Sequence, residues 1–215
     1  MANIIVRRRS LLLGSAALAV APVIIPGIAH AAAEVGTPAP LFTSVDSNGK
    51  TQSLEQYRGK IVVLETTNHD CPYVAKHYRA GNMQAQQKDA AAKGIVWLTV
   101  ASSAPGEQGN VTPQQANELT VKRGAAPAAV LIDPQSKVAR AYAATVTPHM
   151  YIVDAKGILV YKGGIDSIAT SNIDDIAKAK QYVRVALEEM AAGKPITEAS
   201  TRPYGCTLKY GRSST

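Results

Sequence analysis

Three short apolar runs along the chain are separated by longer segments of helical character. Each run is uncharged, which is typical of a strand buried on both faces of a sheet. These strands are predicted at Ile61 to Leu64, Ile95 to Val100 and Ala128 to Ile132. Because helices are predicted between them, the pattern indicates a layered sheet with helices packed against it.

The segment after the first strand predicts a long helix. Pro72 suits the first helical position, where its missing N–H costs nothing, and the polar, alanine-rich run from Val74 to Ala92 continues to just before Gly94.

Two further helices are predicted in the middle of the chain. Thr112 and Gln115 have the spacing of a capping box, which favours a helix from Pro113 to about Arg123. A short helix is also predicted over Ser136 to Tyr142.

The two ends of this pattern predict antiparallel strand pairs. Asn48 and Gly49 lie between alternating apolar and polar residues and predict a hairpin turn. Toward the C-terminus, Met150 to Val153 and Ile158 to Tyr161 predict two antiparallel strands joined by a tight turn that ends at Gly157.

A final helix is predicted from an apolar face at helical spacing, whose members are expected in the core. They are Ile173, Ile176, Val183, Leu187 and Met190. Together the elements predict an α/β fold over residues 34–195, with a central mixed β-sheet flanked by helices on both faces. Residues 196–215 lack periodicity and are predicted to form a C-terminal tail that packs on this domain.

The first 31 residues differ in kind from the rest. Three arginines precede a long uncharged apolar run that ends Ala-His-Ala, which predicts a signal peptide over residues 1–31. The sequence from Arg8 to Leu12 resembles the twin-arginine export motif of bacteria. The general export pathway and a permanent anchor helix are the alternatives. We therefore expect a periplasmic or secreted protein, with no stable membrane span after removal of the signal.

The distribution of charge argues against a nucleic-acid partner. Loss of Arg7, Arg8 and Arg9 with the signal, and of no acidic residue, lowers the formal net charge of +7 by three units. The remaining basic residues are scattered and form no stripe that could follow a phosphate backbone. Nucleic-acid binding is therefore not expected.

The chain has two cysteines, Cys71 and Cys206, and an even number in an exported protein is consistent with one disulfide. Cys71 lies just after the first predicted strand and directly before Pro72. Unpaired backbone N–H groups and the helix dipole at such a position favour thiolate over thiol. Cys71 is therefore a candidate nucleophile.

The polar neighbours of Cys71 have opposing effects on a thiolate. His69, Lys76 and His77 would support the negative charge, and Asp70 would oppose it. Asn68, His69 and Asp70 also suit the capping of a turn between a strand and a helix.

Three features of the chain match one known superfamily. They are the segment VGTPAPLFTSVDSNGKTQSLEQYRGK, the helix start at Cys71 and Pro72, and the pair Thr147 and Pro148 before the closing strands. The chain therefore resembles thioredoxin-like proteins, in particular exported redoxins of the AhpC/TSA type, which lie between thiol-disulfide oxidoreductases and peroxiredoxins. The resemblance implies that Pro148 is a cis proline facing Cys71, and that the backbone of Thr147 pairs with the substrate chain.

Two departures from the superfamily limit the function that it implies. Thioredoxin-type reductases have a second cysteine where this chain has Val74, so the local dithiol cycle is excluded. Peroxiredoxins have a threonine three residues before the cysteine, where this chain has Asn68, and Thr67 is one residue out of place. We keep Asn68 as a candidate site residue.

The second cysteine offers two alternatives. If the tail folds back over the face that contains Pro148, Cys206 could resolve a sulfenic acid or mixed disulfide at Cys71, and Gly205 would permit the close approach. A permanent Cys71–Cys206 disulfide that braces the tail is the alternative.

No metal or cofactor is expected. His69, Cys71, His77 and His149 would together suit copper or zinc, but the paired-cysteine motif of copper-handling relatives is absent.

These observations predict an exported thiol oxidoreductase with Cys71 as nucleophile. Protein disulfides or small peroxides would be its substrates, and an external thiol would be its reductant. The alternative is a non-enzymatic binding or scaffold module held by a structural disulfide between Cys71 and Cys206.

Overall fold

The computed structural model of the chain describes residues 33–211. The predicted signal peptide lies outside this range. Seven strands form one mixed sheet in the order β2-β1-β5-β4-β3-β7-β8, and a further pair is formed by β6 and β9. The strands are β1 (Thr43–Asp46), β2 (Thr51–Ser53), β3 (Val62–Thr67), β4 (Val96–Ala101), β5 (Ala129–Ile132), β6 (Val146–Thr147), β7 (His149–Val153), β8 (Leu159–Gly163) and β9 (Cys206–Thr207).

The three predicted apolar strands are confirmed as the centre of the sheet. β3 pairs in parallel with β4, and β4 pairs in parallel with β5, while all other pairs are antiparallel. Both predicted hairpins are also confirmed, since β1 pairs with β2 and β7 pairs with β8. β3 is longer than predicted, because it continues through the charged residue Glu65 to Thr67.

Within residues 33–211, five α-helices accompany the sheet. They are α1 (Pro72–Arg79), α2 (Asn82–Ala92), α3 (Pro113–Lys122), α4 (Lys137–Ala141) and α5 (Tyr182–Ala191). None of the helices between residues 33 and 211 is long and apolar enough to cross a membrane.

Apolar layers lie on both faces of the sheet, because successive side chains of a strand point to opposite faces. On β3, Val63 belongs to the layer covered by α1, α2 and α5. Val62 and Leu64 belong to the other layer, which is covered by α4 and by Leu208 of the C-terminal tail. The predicted mixed sheet with helices on both faces is therefore confirmed.

The single long helix predicted up to Gly94 is wrong. The chain forms two helices, α1 and α2, separated at Gly81, whose φ is 72°. Glycine adopts this left-handed conformation without the steric cost of a β-carbon, so the chain can change direction there. After this turn, α2 packs against the same face of the sheet as α1.

The long apolar face predicted for the last helix is also partly wrong. Ile173 starts a short 3-10 turn and is 37% exposed, so it is not a core residue. The helix begins only at Tyr182. Within it, Val183 is buried, and Leu187 and Met190 pack against the core as predicted. The side chain of Asn172 accepts a hydrogen bond from the amide of Asp174, which favours a local turn over a helix.

The C-terminal tail does more than run over the surface. Leu208 is buried in the core, and Cys206 and Thr207 form strand β9. The amide of Leu208 donates to the carbonyl of Thr145 at 3.0 Å, and the amide of Ala104 donates to the carbonyl of Lys209 at 2.9 Å. The tail is therefore built into the fold from Cys206 to Lys209.

We predict that the exposed capping box of α3 contributes measurably to stability. The hydroxyl of Thr112 accepts from the amide of Gln115 at 3.2 Å, and the side chain of Gln115 accepts from the amide of Thr112 at 2.8 Å. Thr112→Ala should lower the free energy of unfolding by about 1 kcal/mol. Thr112→Ser retains the acceptor and should lose much less. Equal losses in urea unfolding of the two variants would contradict a capping role.

Candidate active site

Cys71 lies at the junction between β3 and α1. It is the N-cap of α1, with extended backbone angles, and Pro72 follows at the first helical position. The amide of Cys71 donates to the carbonyl of Asn68 at 3.1 Å, which closes the turn that leads out of β3. The Cys71 side chain is completely buried. The thiol is thus placed at a helix start but away from solvent.

The segment before β7 forms the wall opposite Cys71. The peptide bond between Thr147 and Pro148 is cis, the conformation implied by the resemblance. The thiol of Cys71 donates to the carbonyl of Thr147 at 3.1 Å. The hydroxyl of Thr66 donates to the carbonyl of Val146 and accepts from the amide of His149, each at 2.9 Å. This hydroxyl fixes both sides of Pro148 to the end of β3.

Strand β9 brings the second cysteine to this wall. It pairs antiparallel with β6, and Cys206 lies opposite Thr147 in the register. Cys206 is partly exposed, whereas Cys71 is buried, and both are free thiols. The structure therefore brings together Cys71, Thr147, Pro148 and Cys206, four of the five predicted site residues. Their catalytic roles remain predictions.

Both thiols lie beside Thr147, since Cys71 bonds to its carbonyl and Cys206 is its partner in the strand pair. Burial, and to a smaller extent the neighbouring sulfur of Cys71, raises the pKa of Cys206 to about 12. Cys206 therefore keeps its proton at neutral pH.

Gly205 allows the close approach of the tail. Its φ is 146°, a conformation that other residues rarely adopt. A β-carbon at this position would lie 1.9 Å from the carbonyl oxygen of Thr147. Because that oxygen belongs to the backbone beside Pro148, it cannot move aside as a flexible side chain could.

Asn68, the fifth predicted residue, contacts backbone groups. It is 1% exposed, and its side-chain oxygen accepts from the amide of Asp70 at 2.9 Å. Its side-chain nitrogen donates to the carbonyl of Gln108 at 3.4 Å. These bonds shape the turn before Cys71 and hold a neighbouring loop, as the capping interpretation suggests.

The prediction that Lys76 and His77 support the thiolate is wrong. Both side chains are buried and point to Asp166, with an ion pair of 3.2 Å between Lys76 and Asp166. Burial lowers the pKa of His77 to about 4, although the charge of Asp166 partly opposes this shift, so the imidazole is neutral at pH 7. His69 pairs instead with Asp70 at 3.4 Å, at the surface.

His149 follows Pro148 but turns to the opposite layer of the sheet. Its Nδ1 lies 3.0 Å from the hydroxyl of Tyr151, and the two rings are stacked. Burial lowers the pKa of His149 to about 4, with a smaller contribution from the charge of Lys162. Across residues 33–211, no three side chains of His, Cys, Asp or Glu are grouped so that they could hold a metal ion.

A buried acid in the layer covered by α1, α2 and α5 is not predicted by the sequence interpretation. Glu65 is completely buried and accepts hydrogen bonds from Tyr78 and Trp97, each at 2.9 Å, and from Thr99 at 3.2 Å. Burial raises the pKa of its carboxyl group, and the hydrogen bonds oppose that shift. The sequence signal for this buried acid is a single acidic residue at the end of the apolar run in β3. Because Tyr78 belongs to α1, this network ties the Cys71 helix to the sheet.

The family-model comparison decides the family. The AhpC/TSA family model matches residues 35–162, which is more than half of the chain. The chain belongs to the AhpC/TSA family. This is a family of thiol-dependent oxidoreductases, so the coarse class predicted from Cys71 and its surroundings is confirmed. No curated protein matches the sequence.

Solved structures agree on a thioredoxin-like fold. An uncharacterized conserved protein from Geobacillus kaustophilus superimposes with a TM-score of 0.72 at 24% identity, covering 85% of this chain and 95% of that one. A hypothetical protein from Sinorhizobium meliloti gives 0.70 at 22% identity, covering 84% and 96%. A putative protein disulfide isomerase from Bacteroides thetaiotaomicron gives 0.53 at 18% identity, covering 73% and 89%. At these identities the likeness establishes the shared fold.

We predict that Gly205→Ala releases the tail strand of this AhpC/TSA-family protein. The clash with Thr147 should lower the free energy of unfolding by about 2–3 kcal/mol. It should also increase hydrogen exchange at the amide of Leu208. Gly193→Ala is the control, because Gly193 also has a positive φ, of 67°, but has open space around it. The control should lose only about 1 kcal/mol and keep Leu208 protected. Equal losses in both variants, with Leu208 still protected, would contradict the close fit at Gly205.

Proposed function

We propose that the protein is an exported thiol-dependent oxidoreductase in which Cys71 is the nucleophile and Cys206 the resolving thiol. The observation that carries the proposal is that strand β9 places Cys206 opposite Thr147, whose carbonyl accepts the hydrogen bond of the Cys71 thiol. Val74 replaces the usual local partner of the nucleophile. Cys206 supplies the second thiol from the other end of the domain.

The surroundings of the two sulfurs support this division of roles. Cys71 lies at a helix start, where backbone N–H groups and the helix dipole favour negative charge on sulfur. Cys206 has a raised pKa and retains its proton. Cys71 therefore reacts first, as the nucleophile, and Cys206 reacts second, as the resolving thiol.

The oxidative half of the cycle has the same end point for both substrate classes. With a substrate disulfide, the Cys71 thiolate forms a mixed disulfide and expels one substrate thiolate. With a peroxide, it takes one oxygen, becomes a sulfenic acid and releases an alcohol or water. Cys206 then attacks the sulfur of Cys71 and gives its proton to the leaving group, so that the second substrate thiol or water is released. Both routes leave a Cys71–Cys206 disulfide.

The reductive half requires two equivalents of an external thiol. The first attacks the Cys71–Cys206 disulfide and forms a mixed disulfide, and the second releases the reductant as its own disulfide. Export by the predicted signal peptide would place this cycle in the periplasm or outside the cell, where such a donor thiol must be supplied.

We predict a reversible disulfide between Cys71 and Cys206 in the mature protein. Equilibration in glutathione buffers, followed by alkylation and peptide mapping, should show the pair forming and reducing at about −270 mV or higher. Cys71→Ser should abolish peroxide and disulfide turnover. Cys206→Ser, the matched control, should retain a slower reaction that depends on added thiol.

Two results would contradict this proposal. Full activity of Cys71→Ser would show that Cys71 is not the nucleophile. A Cys71–Cys206 bond that resists reduction at far lower potentials, in a protein without turnover, would support the scaffold alternative instead.

We also predict that the reductant attacks the sulfur of Cys206. Cys206 is partly exposed, whereas Cys71 is buried and at a helix start, where it is the better leaving thiolate. When the oxidised protein is treated briefly with glutathione and quenched in acid, mass mapping should locate the glutathione on Cys206. An adduct mainly on Cys71 would show the opposite direction of attack.

A further inference from the structure

Tyr204 occupies a buried polar socket formed by Lys76, His77 and Asp166. The Tyr204 hydroxyl donates to Oδ1 of Asp166. It lies 3.3 Å from Nζ of Lys76 and 3.2 Å from Nε2 of His77. The three socket side chains are at most 1% exposed. None of these four residues belongs to the thiol chemistry described above.

The socket offers the Tyr204 hydroxyl both hydrogen-bond donors and a hydrogen-bond acceptor. The side-chain amide of Asn82 donates to Nδ1 of His77 at 2.8 Å, so Nε2 carries the ring proton and donates to Tyr204. Lys76 is a second donor, and Asp166 accepts the hydroxyl proton. The hydroxyl thus makes one bond as donor and two as acceptor, which is its full capacity.

The location of the socket links it to the two cysteines. Lys76 and His77 belong to α1, the helix whose N-cap is Cys71. Tyr204 lies two residues before Cys206 in the tail. The ring of Tyr204 also packs edge-on against Tyr73 of the same helix, with ring centroids 5.7 Å apart. One rigid helix therefore holds Cys71 at its start and the tail about one turn later.

The other anchors of the tail contact different parts of the fold. Leu208 is buried in the opposite apolar layer, and the hydroxyl of Tyr210 donates to carbonyls at the end of α4. These contacts keep the tail on the domain but do not fix its position relative to α1. Among the described tail residues, 196–211, Tyr204 is the one whose side chain is hydrogen-bonded to the Cys71 helix.

We propose that Tyr204 is the positioning residue of the resolving thiol. By binding the socket on α1, it keeps Cys206 at the distance from Cys71 at which the disulfide forms. The proposal rests on the proposed function. In that cycle, the Tyr204 anchor gives Cys206 its high effective concentration at Cys71.

The test compares Tyr204→Phe with Tyr142→Phe in the mature protein. Both changes remove a hydroxyl that bonds inside the fold, but that of Tyr142 donates to the carbonyl of Pro40 at 3.0 Å in the opposite layer. The effective concentration of the thiol pair is measured from its equilibrium with reduced and oxidised glutathione. Tyr204→Phe should lower it by about 10- to 100-fold, because a hydrogen bond to charged groups is lost. Tyr142→Phe should leave it unchanged.

A second measurement reports tail opening without disulfide chemistry. In a Cys206→Ser background, Tyr204→Phe should increase the rate at which a maleimide alkylates Cys71 about tenfold, because the tail opens more often. Adding Tyr142→Phe to the same background should not change this rate.

The outcomes separate this proposal from the proposed function. If the wild type forms a reversible Cys71–Cys206 disulfide and Tyr204→Phe has the same effective concentration, the positioning role is overturned and the thiol cycle stands. If the wild type forms no reversible disulfide, the proposed function itself fails. Should Tyr204→Phe not fold, Asp166→Asn replaces it, and an unchanged effective concentration in that variant would equally overturn the positioning role.

Discussion

The pairing of strand β9 with β6 is the interaction on which the rest of the site depends. It joins the last part of the chain to the residue before Pro148, with Cys206 opposite Thr147. Without this pair, Cys71 would have a helix start and a cis proline beside it but no second thiol. Gly205 permits the approach because no β-carbon comes between the tail and the carbonyl of Thr147. A backbone contact thus determines the chemistry available to a side chain.

The elements that could be predicted from the sequence are those that depend on local pattern. The parallel strands β3, β4 and β5 follow from uncharged apolar runs, and the start of α3 follows from a capping box. The break at Gly81 was missed because the helical pattern continues on both sides of a glycine, and only packing decides whether the chain turns there. Likewise, an apolar residue at helical spacing such as Ile173 is no evidence that the helix extends to it.

The candidate site was predicted less completely, for a different physical reason. Cys71 and Pro148 carry signals of their own, but the partners of Lys76 and His77 lie far away in the sequence. The closeness of both basic residues to Cys71 along the chain predicts that they support its thiolate. In the fold they face Asp166, since a buried lysine requires a counter-charge and hydrogen-bond acceptors. Sequence proximity on a helix does not determine which side chains meet.

Because Lys76 and His77 face Asp166, neither side chain can support the proposed nucleophile Cys71. What remains beside Cys71 is the start of α1 and the Cys206 thiol of the tail strand. The same tail strand occupies the backbone edge that the family resemblance assigns to a substrate chain. A peroxide needs only a brief opening beside Cys71, whereas an extended peptide must replace β9 along Thr147. The two proposed substrate classes therefore differ in how strongly their reactions depend on release of the tail.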